Sequence, residues 1–362
     1  MSSLFNPVMM GSVELKNRVL MAPLTRNRAH DDTDIPHDLA IEYYSQRASA
    51  GLIIAEGTQV SKLGKGYIKT PGIYSAEQVD KWKEITDAVH KQGGKIFLQL
   101  WHVGRISHTS VLPENEKPLA PSALRAEAQT FVNGKMVDVS EPREMTTDDI
   151  DELISQYKTA AINADKAGFD GVEIHAANGY LLNQFICDSS NHRTDNYGGS
   201  VGNRIRIVNQ VIEAILEVLE PGKVGIRLSP TGQFNDVNDS DPLKTYTAVI
   251  NNLNHYKLAY VHIVERFPGV EVSNKDLHIL KTLIAQWEGF YIANGDYNSI
   301  TAQDAIESGR ADAVAFGRQY IANPDLMERL KLGAALNTPD QNTFYGGGAE
   351  GYTDYPFMED AR

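Results

Sequence analysis

The chain has 362 residues, 42% of them hydrophobic and 22% charged, with a net charge of -13. This composition can bury a sizeable core, and the acidic balance, with no basic run or basic helix face, disfavours nucleic acid or an anionic membrane as a partner. Cys187 is the only cysteine, which rules out a disulfide framework or a multi-cysteine metal site within one chain and fits a reducing compartment.

The first residues, Met1 to Pro7, lack a basic segment followed by an apolar one, so no signal peptide is expected. No run approaches the ~18 apolar residues of a membrane span, and the expected location is cytoplasmic. Residues Met1–Lys16 read as a hairpin covering the floor of the domain. Strand-like runs then alternate with helix-like segments. The first strand is Arg18–Thr25, followed by a helix over Asp38–Ser49 and a strand over Leu52–Val60. Ser75-Ala-Glu-Gln78 is a capping box for a helix running to about Lys91. A strand over Lys95–Trp101 leads into a long excursion, Val103 to about Arg143, in which Asn133-Gly134 between two short apolar runs signals a type I′ hairpin.

Thr147 is read as the cap of a helix with Ile150, Leu153, Ile154, Tyr157 and Ala161 on one stripe, ended by Gly168. The strand Gly171–His175 follows, then a helix marked by Ile205, Val208, Ile212, Ile215 and Leu219 that stops near Pro221-Gly222. The remaining strands are Val224–Ser229, Tyr260–Val264, Phe290–Ala293 and Ala313–Phe316. Asp241-Pro242, Thr301 and Asn323-Pro324 are read as helix starts, and Ser273–Trp287 completes the set. Most strands are continuous apolar runs, as expected for parallel strands buried on both faces. Eight strands alternating with eight helices predict an α/β chain folded as one (β/α)8 TIM barrel, a single domain over residues 1–362 with a capping insertion at about 103–143. A doubly wound sheet is the second choice, but Pro23-Leu-Thr-Arg26 is not a phosphate-binding turn.

Chemistry in such a barrel lies at the C-terminal strand ends. Those ends carry Thr25, Gly57-Thr58, Gln99 with Trp101, His175 with Asn178 and Tyr180, Arg227, Asn294-Gly295 and Gly317-Arg318. Paired carboxylates, metal-ligand spacing and a strand-end lysine are missing, so glycosidase, metal and Schiff-base chemistry are disfavoured. What remains suits a flat polar heterocycle and a phosphate. His175 and Asn178, three apart after a strand, could offer two donors to one oxygen, with Tyr180 as a nearby proton source. The plainer alternative is a barrel-lining His and an Asn capping the next helix. The paired glycines at the last two strand ends suit phosphate, or simply make tight turns.

Several segments carry a resemblance: Asn17-Arg-Val, Met21-Ala-Pro-Leu-Thr-Arg26, Glu42-Tyr-Tyr, Gln99-Leu-Trp-His-Val-Gly-Arg105, Asn191-His-Arg-Thr-Asp-Asn-Tyr-Gly-Gly-Ser200, Ala315-Phe-Gly-Arg318 and Phe344-Tyr-Gly-Gly-Gly-Ala-Glu-Gly-Tyr-Thr-Asp-Tyr355. In this order they resemble the old yellow enzyme family of FMN-dependent ene-reductases, in particular the bacterial N-ethylmaleimide and nitrate-ester reductases. The resemblance implies tightly bound, non-covalent FMN, with NADPH or NADH as reductant in ping-pong turnover. It implies that Thr25 bonds flavin O4, that Gln99 and Arg227 meet the pyrimidine edge, and that Pro23, Leu24 and Gly57 line the ring. Asn294, Gly295, Gly317 and Arg318 would serve the phosphate end. His175 and Asn178 would hold a carbonyl or nitro oxygen, hydride would pass from flavin N5 to the β-carbon, and Tyr180 would protonate the α-carbon. Trp101, Tyr67 and Tyr345 would shape the substrate pocket. Some members carry His where this chain has Asn178; an amide N–H can still donate, with an altered substrate preference expected. The implied substrates are α,β-unsaturated carbonyls, nitroalkenes and maleimides, with nitrate esters or nitroaromatics as further candidates, and the implied state is a monomer or weak homo-oligomer.

Other signals weigh less. Gly346-Gly-Gly348-Ala-Glu-Gly351 fits G-x-G-x-x-G but follows no strand, so no Rossmann unit is expected. His102 and His108 lack a third ligand, His262 reads as a barrel-core residue, Cys187 reads as a packed, inert thiol, and no metal is expected. A flavin-free barrel lyase or isomerase, and a non-catalytic flavin- or phenol-binding sensor, stay open as alternatives.

Overall fold

A computed structural model describes residues 3–132, 134–267 and 269–358. Eight parallel strands form the central sheet: β1 (Val19–Met21), β2 (Ile53–Ile54), β3 (Ile96–Trp101), β4 (Gly171–Ala176), β5 (Val224–Leu228), β6 (Tyr260–Val264), β7 (Tyr291–Asn294) and β8 (Ala313–Phe316). Each pairs with the next, and Val314 against Val19 joins β8 to β1 and closes the ring. The expected (β/α)8 barrel is therefore present. All six residues of β3 and of β4 are buried, which is why these runs are apolar without alternation.

The run Leu52–Val60 does not form one strand. After β2 the backbone leaves the ladder at Glu56, whose N–H donates to the Tyr44 hydroxyl at 3.1 Å. Pairing with β3 resumes only at Thr58–Gln59. Side-chain capture of a backbone donor outcompetes the ladder here, and apolarity alone does not reveal it.

The outer ring consists of α1 (Leu39–Gln46), α2 (Ala76–Lys91), α3 (Thr147–Lys166), α4 (Arg206–Leu216), α5 (Pro242–Tyr256), α6 (Asn274–Gln286), α7 (Ser299–Glu307) and α8 (Leu326–Leu332). The Ser75/Gln78 capping box opens α2 as expected, and Trp82, Ile85 and Val89 form its buried stripe. Asp241 caps α5 with Pro242 in the first turn. Three starts differ from expectation. Thr146, not Thr147, caps α3, because Thr146 Oγ1 accepts from the Asp149 N–H while the Asp149 carboxylate accepts from the Thr146 N–H. Thr301 lies inside α7 as the third residue of a capping box whose cap is Asn298. The helix expected from Asn323-Pro324 begins only at Leu326. Asn323 instead bonds Gln319 and Asn337, which ties it to the chain on either side.

The N-terminal hairpin, Val8–Met10 against Val13–Leu15, packs Met10, Val13 and Leu15 onto Leu20, Leu52, Phe97 and Tyr260, and Ser12 N–H donates to Gly222 O just before β5. It closes the floor, as expected. After β3, Gln129–Val132 and Lys135–Asp138 form the expected antiparallel hairpin; Gly134 has φ +82°, while Asn133 lies outside the described residues.

At the opposite end three arginines clasp the C-terminal segment. Arg26 donates to Phe344 O at 2.9 Å and Gly351 O at 2.7 Å, and Arg28 to Gly348 O at 3.0 Å. Tyr43 and Tyr352 stack at 4.0 Å, and the Arg47 guanidinium sits 3.8 Å over the Tyr43 ring. This fastening brings Tyr345 to the strand ends.

Replacing Thr146 with Ala removes the side-chain half of the α3 capping box, the Oγ1 that accepts from the Asp149 N–H, and should lower stability by about 1 kcal/mol, read as a lower urea midpoint. Thr147→Ala should leave the midpoint nearly unchanged.

Candidate functional site

The site begins at the turn after β4. Asn178 and Gly179 are both left-handed, with φ +58° and +71°, and Tyr180 N–H donates back to Ala177 O at 3.2 Å. Two left-handed central residues describe a type I′-like turn, which Asn-Gly favours. Asn178 N–H donates to Ser229 Oγ at 2.8 Å, and Asn235 Nδ2 donates to Asn178 O at 2.9 Å, so the loop that follows β5 holds the turn. Gly179 is required there, since a Cβ would lie 2.4 Å from Phe234 O. The helix Leu181–Ile186 that follows is entered at Tyr180 without side-chain capping. Asn178 is therefore not a helix cap.

His175 is buried in β4, and its Nδ1 accepts from the Ala177 N–H at 3.3 Å. In the neutral ring this leaves Nε2 as the protonated nitrogen. Burial holds its pKa well below the usual range, and the Arg227 charge adds to that. Tyr180 packs edge-on against both His175, at 5.1 Å, and Trp101, at 4.9 Å. Its hydroxyl lies 3.2 Å from that of Tyr67. Burial raises the Tyr180 pKa well above its usual value, with Tyr67 contributing, and burial pushes Tyr67 up to about 12. Both phenols keep their protons at neutral pH.

Two adjoining cavities open at the C-terminal strand ends. One, of about 380 Å³, is lined by Pro23, Leu24, Thr25, Asn178, Arg227, Asn294, Gly295, Gly317 and Arg318 among others. The second, of about 640 Å³, is lined by Tyr67, Tyr180 and Tyr345 together with Ile68, Lys69, Phe131 and Met136. Thr25, Phe234 and Tyr345 border both. Four of the residues read from the sequence line neither cavity. Gly57 backs onto Trp101, where a Cβ would lie 2.6 Å from the indole. Gln99 is buried in β3 with its Nε2 on Glu173 at 2.7 Å. His175 and Trp101 stack on each other and meet the Tyr180 ring edge-on.

The smaller cavity has the donor set of a polar ligand site. Arg227 Nη2 donates to Asn294 Oδ1 at 2.9 Å, and Asn294 Nδ2 donates on to Ala315 O at 2.8 Å, so Asn294 orients the guanidinium as well as lining the wall. Arg227 Nε and Asn178 Oδ1 are buried without a partner. Unpaired buried polar atoms are costly, so both suit a ligand that presents a complementary polar edge. Gly295 has φ +156°, open essentially to glycine alone, and a Cβ there would lie 2.8 Å from Arg266 N. A Cβ on Gly317 would meet only Leu24, at 3.4 Å. A flat heterocycle carrying a phosphate fits this combination of buried cation, unpaired amide and glycine-lined end.

Sequence reading missed several of these residues. Arg266 and Phe267 follow β6, the one strand whose end carried no candidate, and Phe267 stacks on Phe234 at 5.1 Å. Phe131 and Met136 sit on the capping hairpin, which was legible as a roof but not as a set of inward contacts. Glu173 lies inside β4, where the strand pattern reads it as one more core position.

The family model for the NADH:flavin oxidoreductase / NADH oxidase family matches residues 3–337. The chain belongs to this family, the old yellow enzymes. 12-Oxophytodienoate reductase 1 of Oryza sativa subsp. japonica is 45% identical over 361 residues, 99% of this chain and 93% of that protein. Among solved structures, morphinone reductase superposes with a TM-score of 0.95 at 46% identity, covering 99% of this chain and 97% of that one. The old yellow enzyme homologue from Zymomonas mobilis gives 0.94 at 41% identity, covering 99% and 100%. As an old yellow enzyme the chain is an FMN-dependent oxidoreductase. No helix among the described residues is long and apolar enough to cross a membrane.

Proposed function

We propose that this old yellow enzyme is an NAD(P)H-dependent ene-reductase acting on α,β-unsaturated carbonyls, nitroalkenes and maleimides, with nitro compounds or nitrate esters as further substrates. The observation that carries this reading is the adjacency of two cavities: one lined by a buried, partly unpaired Arg227 and two glycines, the other walled by the Tyr67–Tyr180 hydroxyl pair. FMN, when bound, accepts hydride from a reduced nicotinamide and delivers it to an acceptor carbon. Thr25, Gln99 and Arg227 would hold the ring, Pro23, Leu24 and Gly57 its surroundings, and Asn294, Gly295, Gly317 and Arg318 the phosphate end. Related proteins carry names of reductases, 12-oxophytodienoate reductase and morphinone reductase, which supports the class of reaction.

The chain's own residues then divide the work. The protonated Nε2 of His175 and the Asn178 amide hold the carbonyl or nitro oxygen, which draws electron density from the β-carbon. The left-handed turn at Asn178 keeps that amide facing the smaller cavity rather than capping a helix. Tyr180 gives its proton to the α-carbon, and Tyr67, 3.2 Å away, is placed to return one to it. Tyr345, Phe131 and Met136 give the substrate cavity an apolar rim. The protein is expected to act as a monomer or weak homo-oligomer.

Purified protein should be yellow, bleach anaerobically with NADPH or NADH and recover with 2-cyclohexenone; a colourless protein that rejects added FMN defeats the reading. Tyr180→Phe should slow the enone-dependent step by about 10²-fold while sparing flavin reduction by NAD(P)H. Equal loss in both half-reactions would remove Tyr180 from the proton-donor role. His175 stays neutral above its lowered pKa and Tyr180 stays protonated below its raised one. The enone step should therefore be flat from about pH 6 to pH 9, where an ordinary histidine would titrate. Stopped-flow rates across that range check it.

A further inference from the structure

Beneath the cavities the barrel holds a buried carboxylate that the proposed chemistry does not use. Glu173, on β4, is fully buried. Its Oε1 accepts from Gln99 Nε2 at 2.7 Å, and its Oε2 accepts from His262 Nδ1 at 2.8 Å. Gln99 is the β3 partner of Glu173 in register, whereas His262 is two strands away on β6. The intervening strand offers Gly225 at this level, and the Tyr260 ring fills the space where a side chain would begin, at 2.2 Å from an added Cβ. Glu173 can therefore bond across β5 to His262.

Arg227 sits in the same part of the barrel, in register with His175 on one side and His262 on the other. It is buried, lines the smaller cavity, and forms no direct ion pair among the described residues; its one side-chain partner is the neutral Asn294. A buried cation without a counter-charge is strongly disfavoured. Burial alone would raise the Glu173 pKa, but His262 and then Arg227 outweigh it and keep the group ionised.

We propose that Glu173, held by Gln99 and His262, is the counter-charge of Arg227 and acts as a positioning residue that limits how strongly the cavity favours reduced over oxidised flavin. This rests on the reading that the cavity binds FMN. Reduced flavin is anionic, so an uncompensated Arg227 would hold it more tightly, whereas Glu173 tempers that preference.

The test measures the affinity of FMN in both redox states, by titration of the flavin-free protein and by dye-equilibrated reduction. Glu173→Gln should raise the ratio of reduced to oxidised affinity about tenfold, which is about 30 mV for a two-electron couple. Glu173→Asp, which keeps the charge, should stay within about twofold of the parent. His262→Leu removes the group that does most to keep Glu173 ionised and should raise the ratio in the same direction as Glu173→Gln; this variant carries the test alone if Glu173→Gln does not fold. An unchanged ratio in Glu173→Gln, an equal shift in Glu173→Asp, or an unchanged or lower ratio in His262→Leu overturns the proposal. A parent protein that takes up no FMN fails the functional reading itself, and the inference falls with it.

Discussion

The hydrogen-bonded seam between β8 and β1, with Val314 opposite Val19, is the contact on which the rest depends. Closure turns a row of strand ends into a circle, so Thr25, which follows β1, comes to border the same cavity as Gly317, which follows β8. An open sheet would leave these groups at opposite edges. Closure also removes every exposed edge of the central sheet, so the strands can be uniformly apolar without inviting edge-to-edge association. The interior tolerates Glu173, His262 and Arg227 because the ring supplies partners from several directions at once.

Strand positions were largely readable from sequence, because parallel strands buried on both faces leave unbroken apolar runs. Tyr260–Val264 and Ala313–Phe316 coincide with the expected spans. Where reading failed, a side chain had entered competition with the backbone. Glu56 broke the second strand by giving its N–H to Tyr44, and Thr146 rather than Thr147 took the cap because Asp149 lies three residues beyond it. Thr301 carried the right composition near a helix start, but its capping box with Asn298 sets the boundary, and Asn323 is tied to Gln319 and Asn337 so that α8 begins only at Leu326. Composition marks the neighbourhood of a start; only reciprocal geometry marks the residue.

The site was legible in its parts and less so in its depth. Strand-end reasoning found Thr25, Arg227, Asn294, Gly295 and Gly317, because each stands close to a strand terminus. It could not separate residues that face the cavities from those one layer below. Gln99 lies in that lower layer, bonded to Glu173, and Gly57 proves to be space for Trp101. Arg266 escaped because no motif marks the end of β6. Depth along a barrel axis depends on strand tilt and shear, which the order of residues in one strand does not disclose.

The clasp of Arg26, Arg28 and Arg47 around the C-terminal segment has a consequence for how the molecule is made. Arg26 and Phe344, bonded at 2.9 Å, are separated by 318 positions. The wall bearing Tyr345 can therefore be set only after the chain has been made as far as Phe344. Until then the mouth of the barrel lacks the side that Phe344 and Tyr345 supply.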